Sequence, residues 1–107
     1  MDLNVYQEKA ARTINTRNHR DEIMRHALHG MCAEVGEVHS IWQKYYQGHD
    51  IKDHEVMLEV GDLLWMIAEF CTANGWSMSE VAEQNILKLE KRYPNGFDAE
   101  RSLHREE

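Results

Sequence analysis

Apolar residues recur at intervals of three and four along most of the chain, the spacing of helices that bury one face. The predicted helices cover residues 2–18, 22–46, 52–74 and 77–93. No segment of any length alternates apolar and polar residues in the manner of a half-buried strand. The pattern therefore predicts an all-α fold.

The second predicted helix has the most regular apolar seam. Its members alternate four and three apart, as expected of a helix packed lengthwise in a bundle: Met24, Leu28, Met31, Val35, Val38, Trp42 and Tyr45. We expect this seam, Trp42 included, to be buried in the core.

Local signals mark the ends of the helices. Asp21 is expected to cap the second helix, and Asn74-Gly75 is a stop signal for the third. Ser77 and Glu80 have the spacing of a capping box at the start of the fourth helix. Pro94-Asn95-Gly96 ends that helix and leaves residues 98–107 as a charged tail, predicted to be mobile and without defined structure.

Length and composition narrow the class of protein. The 107 residues, 42% of them hydrophobic and 29% charged, fit a single globular domain over 1–107. A net charge of −7 argues against a nucleic-acid partner. No apolar run approaches the roughly 20 residues of a membrane span, and no basic segment precedes an apolar one at the start. We therefore expect a cytoplasmic protein without a membrane partner.

Cysteine and histidine residues form no pattern of ligands. Cys32 and Cys71 are expected as buried, reduced thiols, and a disulfide between them is the alternative that the sequence leaves open. Among the seven histidines, His26 and His29 share a helix face and are expected on the polar surface.

Two similar acidic motifs lie in the middle of the chain. Glu34-x-x-Glu37 and Glu59-x-x-Asp62 each place two carboxylates on one helix face, beside the apolar seam. Two such helices packed antiparallel would bring four acids together, and like charges at a partly buried edge are unfavourable. Either the acids have raised pKa values or cations lie among them. An oxygen-only donor set favours Mg²⁺, with Mn²⁺ as the alternative.

The glycines of the two acidic motifs have two readings. Gly36 and Gly61 each cost a helix about 1 kcal/mol relative to alanine. Their equivalent positions indicate close helix approach or room for a ligand, and ordinary tight packing explains them equally well.

The fourth predicted helix carries a basic face, which we define as Asn85, Lys88 and Arg92. Arginine clamps phosphate with two hydrogen bonds, whereas lysine supplies a point charge. By itself this face is typical of a solvated helix C-terminus. Next to the acids, we expect it to bind a polyphosphate, with Trp65 as the candidate for stacking on a nucleobase.

These motifs resemble the MazG-like nucleotide pyrophosphohydrolases of the all-α NTP pyrophosphatase superfamily. The resemblance rests on the two acidic motifs and on Asn85-x-x-Lys88 leading into Lys91-Arg92-Tyr93-Pro94-x-Gly96-Phe97, and it spans about Gly30 to Phe97. It implies a four-helix bundle that assembles as a homodimer or homotetramer. It also implies Mg²⁺-dependent hydrolysis of nucleoside triphosphates, often deoxy forms, to the monophosphate and pyrophosphate in nucleotide-pool house-cleaning.

The resemblance also implies roles for individual residues. Glu34, Glu37, Glu59 and Asp62 would be the metal ligands, with Glu34 or Glu37 as the catalytic base. Lys88 and Arg92 would hold phosphates, and Asn85 and Tyr93 would help to place the substrate. The chain departs from many members at Ala33, where they have a first of two consecutive glutamates.

Two alternative functions follow from the same features. A related enzyme could cleave a different pyrophosphate, such as phosphoribosyl-ATP or an alarmone. A helical interaction module could use the acids only to bind a cation, but it would have no reason to place Asn85, Lys88 and Arg92 on one face.

Overall fold

The computed structural model describes residues 1–104, and it is all-α over that range. Its helices are α1 (Leu3–Ala11), α2 (Arg20–Tyr46), α3 (Asp53–Asn74), α4 (Met78–Arg92) and α5 (Ala99–Leu103). The predicted fold class is confirmed, with a fifth short helix that the sequence pattern did not indicate. None of the helices in residues 1–104 is long and apolar enough to cross a membrane.

The first helix is shorter than predicted, because it ends at Ala11 rather than near residue 18. Asp2 caps its start by accepting a hydrogen bond from the backbone N–H of Val5 at 2.9 Å. Beyond Ala11, Thr13 Oγ1 donates to the carbonyl of Ala10 and Asn15 Oδ1 accepts from the N–H of Arg17. Such local side-chain bonds compete with the helical ladder and convert residues 12–18 into turns.

Helices α2 and α3 form an antiparallel hairpin that is the body of the molecule. Residues later in α2 contact residues earlier in α3. Arg20 Nε donates to the carbonyl of Ala73 at 2.6 Å, His26 Nδ1 lies 2.6 Å from Glu69 Oε1, and Gly30 packs against Met66. This arrangement places the first acidic motif beside the second.

The boundaries of α2, α3 and α4 lie within two residues of the predicted ones. Gly75 ends α3 in the left-handed conformation with φ 73°, and Ser77 Oγ accepts from the N–H of Glu80 at 3.0 Å. The predicted cap at Asp21 is wrong, because α2 begins at Arg20 with His19 as its N-cap. Asp21 instead lies in the first turn, where its charge favours the helix dipole.

The fourth helix is joined mainly to α1. Gln7 Oε1 accepts from the N–H of Met78 at 2.7 Å, and Asn4 Oδ1 accepts from the N–H of Ser79 at 3.2 Å. Met78 enters a small core with Ala68 and Cys71 of α3. Beyond this end, α4 does not pack lengthwise on the α2–α3 hairpin. The single chain is therefore a helical hairpin with appended helices, rather than a closed bundle.

The C-terminal segment is ordered where a structureless tail was expected. Asp98 caps α5 by accepting from the N–H groups of Glu100 and Arg101 at 2.9 and 3.3 Å. The guanidinium of Arg101 donates to the carbonyls of Arg92 and Lys91 and so satisfies the end of α4. The expectation of an unstructured tail is thus wrong for 98–104, and residues 105–107 lie outside the described part.

Few apolar side chains are buried in a single chain. The buried residues are Ala27, Met66, Ala68, Cys71 and Met78, together with the acid Glu69. Much of the predicted α2 seam is open, and Trp42, expected in the core, is 45% exposed. The reason is that α2 has only α3 as a lengthwise helical neighbour. The expectation for cysteine is wrong at Cys32, which is exposed, and right at Cys71; both thiols are free.

Candidate metal centre

Three carboxylates from α2 and α3 converge at the middle of the hairpin. Glu34, Glu59 and Asp62 each offer an oxygen, and these oxygens lie within 4.8 Å of one another. We call these three residues the acidic cluster. Glu34 and Glu59 are half-buried beside the helix contact, whereas Asp62 is exposed. The spacing of three residues puts Glu59 and Asp62 on one face of α3, and the antiparallel packing brings Glu34 opposite them.

The electrostatics of the acidic cluster are unfavourable without a cation. Burial raises the pKa of the Glu34 carboxyl above 4.5, and the charges of Asp62, Glu59 and Glu37 raise it further. A hydrogen bond with Glu59 acts in the same direction. A carboxyl whose neighbours are all acidic is destabilised in its charged form. The repulsion expected from the sequence is therefore present at Glu34, and a cation bound there would relieve it.

Glu37 lies outside the acidic cluster. Its carboxylate does not join the group of oxygens that converge, although its charge is felt at Glu34 one helical turn away. Glu37 is exposed. The structure thus brings together three of the four acids that the sequence motifs identified.

The residues present fit a hard divalent cation. All three donors are carboxylate oxygens, which Mg²⁺ and Mn²⁺ prefer, and no nitrogen or sulfur ligand belongs to the group. Glu34, Glu59 and Asp62 would hold the ion, and the exposure of Asp62 leaves a side open to solvent and substrate. A positive ion there would remove the repulsion that raises the pKa of Glu34.

The glycines of the acidic motifs are not points of close helix approach in a single chain. A Cβ added at Gly36 or Gly61 would meet no atom within 4 Å. Close approach occurs at Gly30 instead, where an added Cβ would collide with Sδ of Met66 and lie 2.9 Å from its Cγ. Within one chain, neither close helix approach nor tight packing is found at Gly36 and Gly61, and room for a ligand stays a prediction.

The basic face is not beside the acids within one chain. Asn85 and Lys88 are exposed on α4, which does not pack lengthwise on α2 and α3. The charges that shift the pKa of Glu34 are all acidic, with no contribution from Lys88 or Arg92. Tyr93, at the end of α4, is half-buried against Phe97 with ring centroids 5.4 Å apart.

Trp65 lies on α3 one turn beyond Asp62 and is half-buried. Its indole Nε1 donates to Thr13 Oγ1 at 2.7 Å. On α1, burial raises the pKa of the Tyr6 phenol, and the charge of Asp62 raises that pKa further. Sequence reasoning assigned neither Tyr6 nor Thr13 a part in the site. No local pattern signals either residue, because each is brought to α3 by the packing of α1.

A family model matches most of the chain. The model for the MazG nucleotide pyrophosphohydrolase domain matches residues 22–97. The matched segment contains α3, α4 and nearly all of α2. It therefore includes the four acids of the two acidic motifs, the basic face and Trp65. No curated protein and no solved structure matches the chain.

Proposed function

Because this chain belongs to the MazG nucleotide pyrophosphohydrolase family, we propose that it hydrolyses nucleoside triphosphates, deoxy forms included, to the monophosphate and pyrophosphate. The observation that carries the proposal is the convergence of Glu34, Glu59 and Asp62 inside the matched segment. Carboxylates and substrate phosphates commonly share a divalent cation as ligands. The proposed role is house-cleaning of the cytoplasmic nucleotide pool.

The proposed cofactor is Mg²⁺, with Mn²⁺ as the substitute. Glu34, Glu59 and Asp62 would bind it, and Glu37 would complete the set from one turn along α2. A bound ion supplies Lewis acidity, which neutralises charge on the phosphate oxygens and makes water more acidic.

The protein's own contribution to the chemistry is a carboxylate base from the first acidic motif. Water forms a bond to the α-phosphorus while the bond to the bridging oxygen of pyrophosphate breaks. Glu34 or Glu37 takes the proton of that water. A positioned carboxylate base contributes typically about 10²–10⁴-fold to such a step.

Phosphate binding is assigned to the basic face. Lys88 would supply a point charge and Arg92 a two-pronged clamp, while Asn85 and Tyr93 place the substrate. Because α4 lies apart from the acidic cluster within one chain, we assign this role to the basic face of a second copy. The proposed active site thus lies between two chains.

Association of copies follows from the same arrangement. Large apolar side chains along α2 and α3 are exposed, including Trp42, Val60 and Tyr46, the last at 84%. A groove in the same region of α2 is lined by residues from Gly36 to Tyr46. Large apolar side chains exposed in this number support an interface with another chain. We propose a homodimer or homotetramer.

Product analysis tests the proposed reaction. The protein is incubated with Mg²⁺ and a panel of nucleoside and deoxynucleoside triphosphates, and the phosphorus products are separated. We expect monophosphate plus pyrophosphate, with one base preferred. Diphosphate plus orthophosphate would contradict the assigned bond. Absence of turnover despite Mg²⁺ binding would contradict the substrate class and favour another pyrophosphate or the binding module.

A further inference from the structure

The hydroxyl of Thr13 connects the end of α1 to the indole ring of Trp65. Thr13 Oγ1 donates to the carbonyl of Ala10 at 2.7 Å and accepts from Trp65 Nε1 at 2.7 Å. A hydroxyl has one hydrogen, so donation to Ala10 leaves a lone pair facing the indole. Both partners of the hydroxyl are therefore determined, and together they fix where the edge of the indole lies.

Thr13 can fix the ring because its own backbone is fixed. The backbone N–H of Thr13 also donates to the carbonyl of Ala10, at 3.1 Å. The turn continues with Ile14 N–H donating to Ala11 and with Asn15 Oδ1 accepting from Arg17. Thr13 is thus hydrogen-bonded to the end of α1, and α1 packs on α3.

The anchored ring lies next to the acidic cluster. Asp62 and Trp65 are three residues apart on α3 and so share a face. Tyr6 of α1 packs against the buried cluster that contains Ala68 and Cys71 of α3. Only the edge of the indole is used by Thr13, and the half-buried ring retains exposed surface. An indole held by its N–H in one orientation can stack on a planar ligand that approaches one of its faces.

We propose that Thr13 is a positioning residue for the nucleotide base, and this rests on the proposed function. Its hydroxyl holds Trp65 in the orientation that receives the base of a nucleotide whose phosphates are bound at the acidic cluster. Only the ribose separates a base from its α-phosphate, so a ring one helical turn from Asp62 is within reach. Thr13 precedes the residues that match the family, which therefore assign it no role.

A matched pair of variants tests this role. Thr13→Val keeps the shape but removes the acceptor, whereas Thr13→Ser keeps the hydroxyl. With the preferred triphosphate, we expect Thr13→Val to raise KM by about fivefold to tenfold, the size of one net hydrogen bond, with kcat within about twofold. Thr13→Ser should retain the wild-type KM. A link that only stabilises the fold would lower the unfolding midpoint of Thr13→Val and leave its KM unchanged, which would overturn the proposal.

A binding measurement separates this proposal from the proposed function. Trp42→Phe combined with Trp76→Phe leaves Trp65 as the single tryptophan of three. A triphosphate analogue with a non-hydrolysable α–β link, added with Mg²⁺, should quench its fluorescence, at about fivefold to tenfold higher concentration in the Thr13→Val background. Quenching without turnover of any triphosphate would contradict the reaction alone. Turnover with unchanged Trp65 fluorescence would overturn the positioning role alone.

Discussion

Nδ1 of His26 lies 2.6 Å from Oε1 of Glu69, and through this contact α2 holds the one buried acid of the described residues of α3. The side chain of Glu69 is 5% exposed, whereas that of His26 is 57% exposed. The pair is therefore asymmetric. Water can hydrogen-bond to the His26 ring if the contact is lost, but it has little access to the Glu69 carboxylate. Without the histidine, the carboxylate of Glu69 would be buried without a hydrogen-bond partner, which destabilises the folded protein.

His26→Ala is accordingly expected to lower the free energy of unfolding by about 1–3 kcal/mol. Urea unfolding measures the change. The control is His29→Ala, an exposed histidine one turn along, for which we expect less than about 0.5 kcal/mol. Replacing both partners by apolar residues, His26→Leu with Glu69→Met, should recover much of the loss. Equal losses in His26→Ala and His29→Ala would show that the contact contributes nothing.

Glycine substitutions distinguish close packing from open space. Gly30→Ala should destabilise the protein by about 1–3 kcal/mol, because the added methyl group collides with Met66. Gly36→Ala and Gly61→Ala meet no atom within 4 Å and should be neutral or more stable by up to about 1 kcal/mol, the difference in helix propensity. Thermal unfolding of the three variants at low protein concentration provides the comparison. The assignment of close approach to Gly30 fails if that variant is as stable as the other two.

Glu59→Gln tests the acidic cluster as a metal centre. We expect Mn²⁺ affinity and Mg²⁺-dependent activity to fall by at least about tenfold to a hundredfold, since a charged ligand is lost. The matched control is Glu83→Gln, an exposed acid of α4, which should bind and turn over normally. Calorimetric titration with Mn²⁺ and the product assay give the two readouts. A folded Glu59→Gln protein with full activity would remove Glu59 from the ligand set.

The raised pKa of Glu34 predicts a pH dependence of stability in the metal-free protein. The folded carboxyl holds its proton more tightly than the unfolded one, whose pKa is near 4.5. The contribution of Glu34 to the free energy of unfolding is fully present below about pH 4.5. It should be lost as the pH rises from about 4.5 through the pKa of the folded carboxyl.

The measurement is urea unfolding at a series of pH values, with Glu34→Gln as the test variant and Glu90→Gln, an exposed acid, as the control. Glu34→Gln should show a shallower fall across that range than the wild type. A slope that is identical in the wild type and in Glu34→Gln would contradict the assignment.

Mixing two inactive variants tests whether the active site lies between chains. Glu59→Gln damages the acidic cluster and Lys88→Ala the basic face. Random dimers formed after joint refolding would regain up to about a quarter of the intact sites if each site draws on both chains. Mass spectrometry verifies the mixed dimers. No recovery in their presence would place both residues of a site in the same chain.

Local signals predicted most of the helical boundaries. Gly75 and Ser77 act through their own backbone and side chain, so α3 and α4 end and begin near where the sequence indicated. The early end of α1 was not predictable from apolar spacing. It depends on whether Thr13 and Asn15 bond to nearby backbone or leave the helical ladder intact, and both choices satisfy the same pattern.

In the candidate site, too, the part that depends on local spacing was predictable and the part that depends on long-range contacts was not. The spacing of Glu59 and Asp62 placed them together, and antiparallel packing supplied Glu34. The position of the basic face was not predictable, because it depends on how α4 is joined to the rest. That junction is made by the side chains of Gln7 and Asn4 on the first amides of α4, a long-range contact that no local pattern records.

The bonds from Arg101 to the carbonyls of Lys91 and Arg92 close a ring of about ten residues at the end of the chain. Within this ring lie Tyr93 and Phe97, whose aromatic rings are in tilted contact, and the turn at Gly96 with φ 90°. Fraying of α5 would therefore break the bonds from Arg101 and uncap α4, so the opening of the two helix ends is coupled. The amide hydrogens of this segment should exchange with solvent as one cooperative unit, with a common opening free energy.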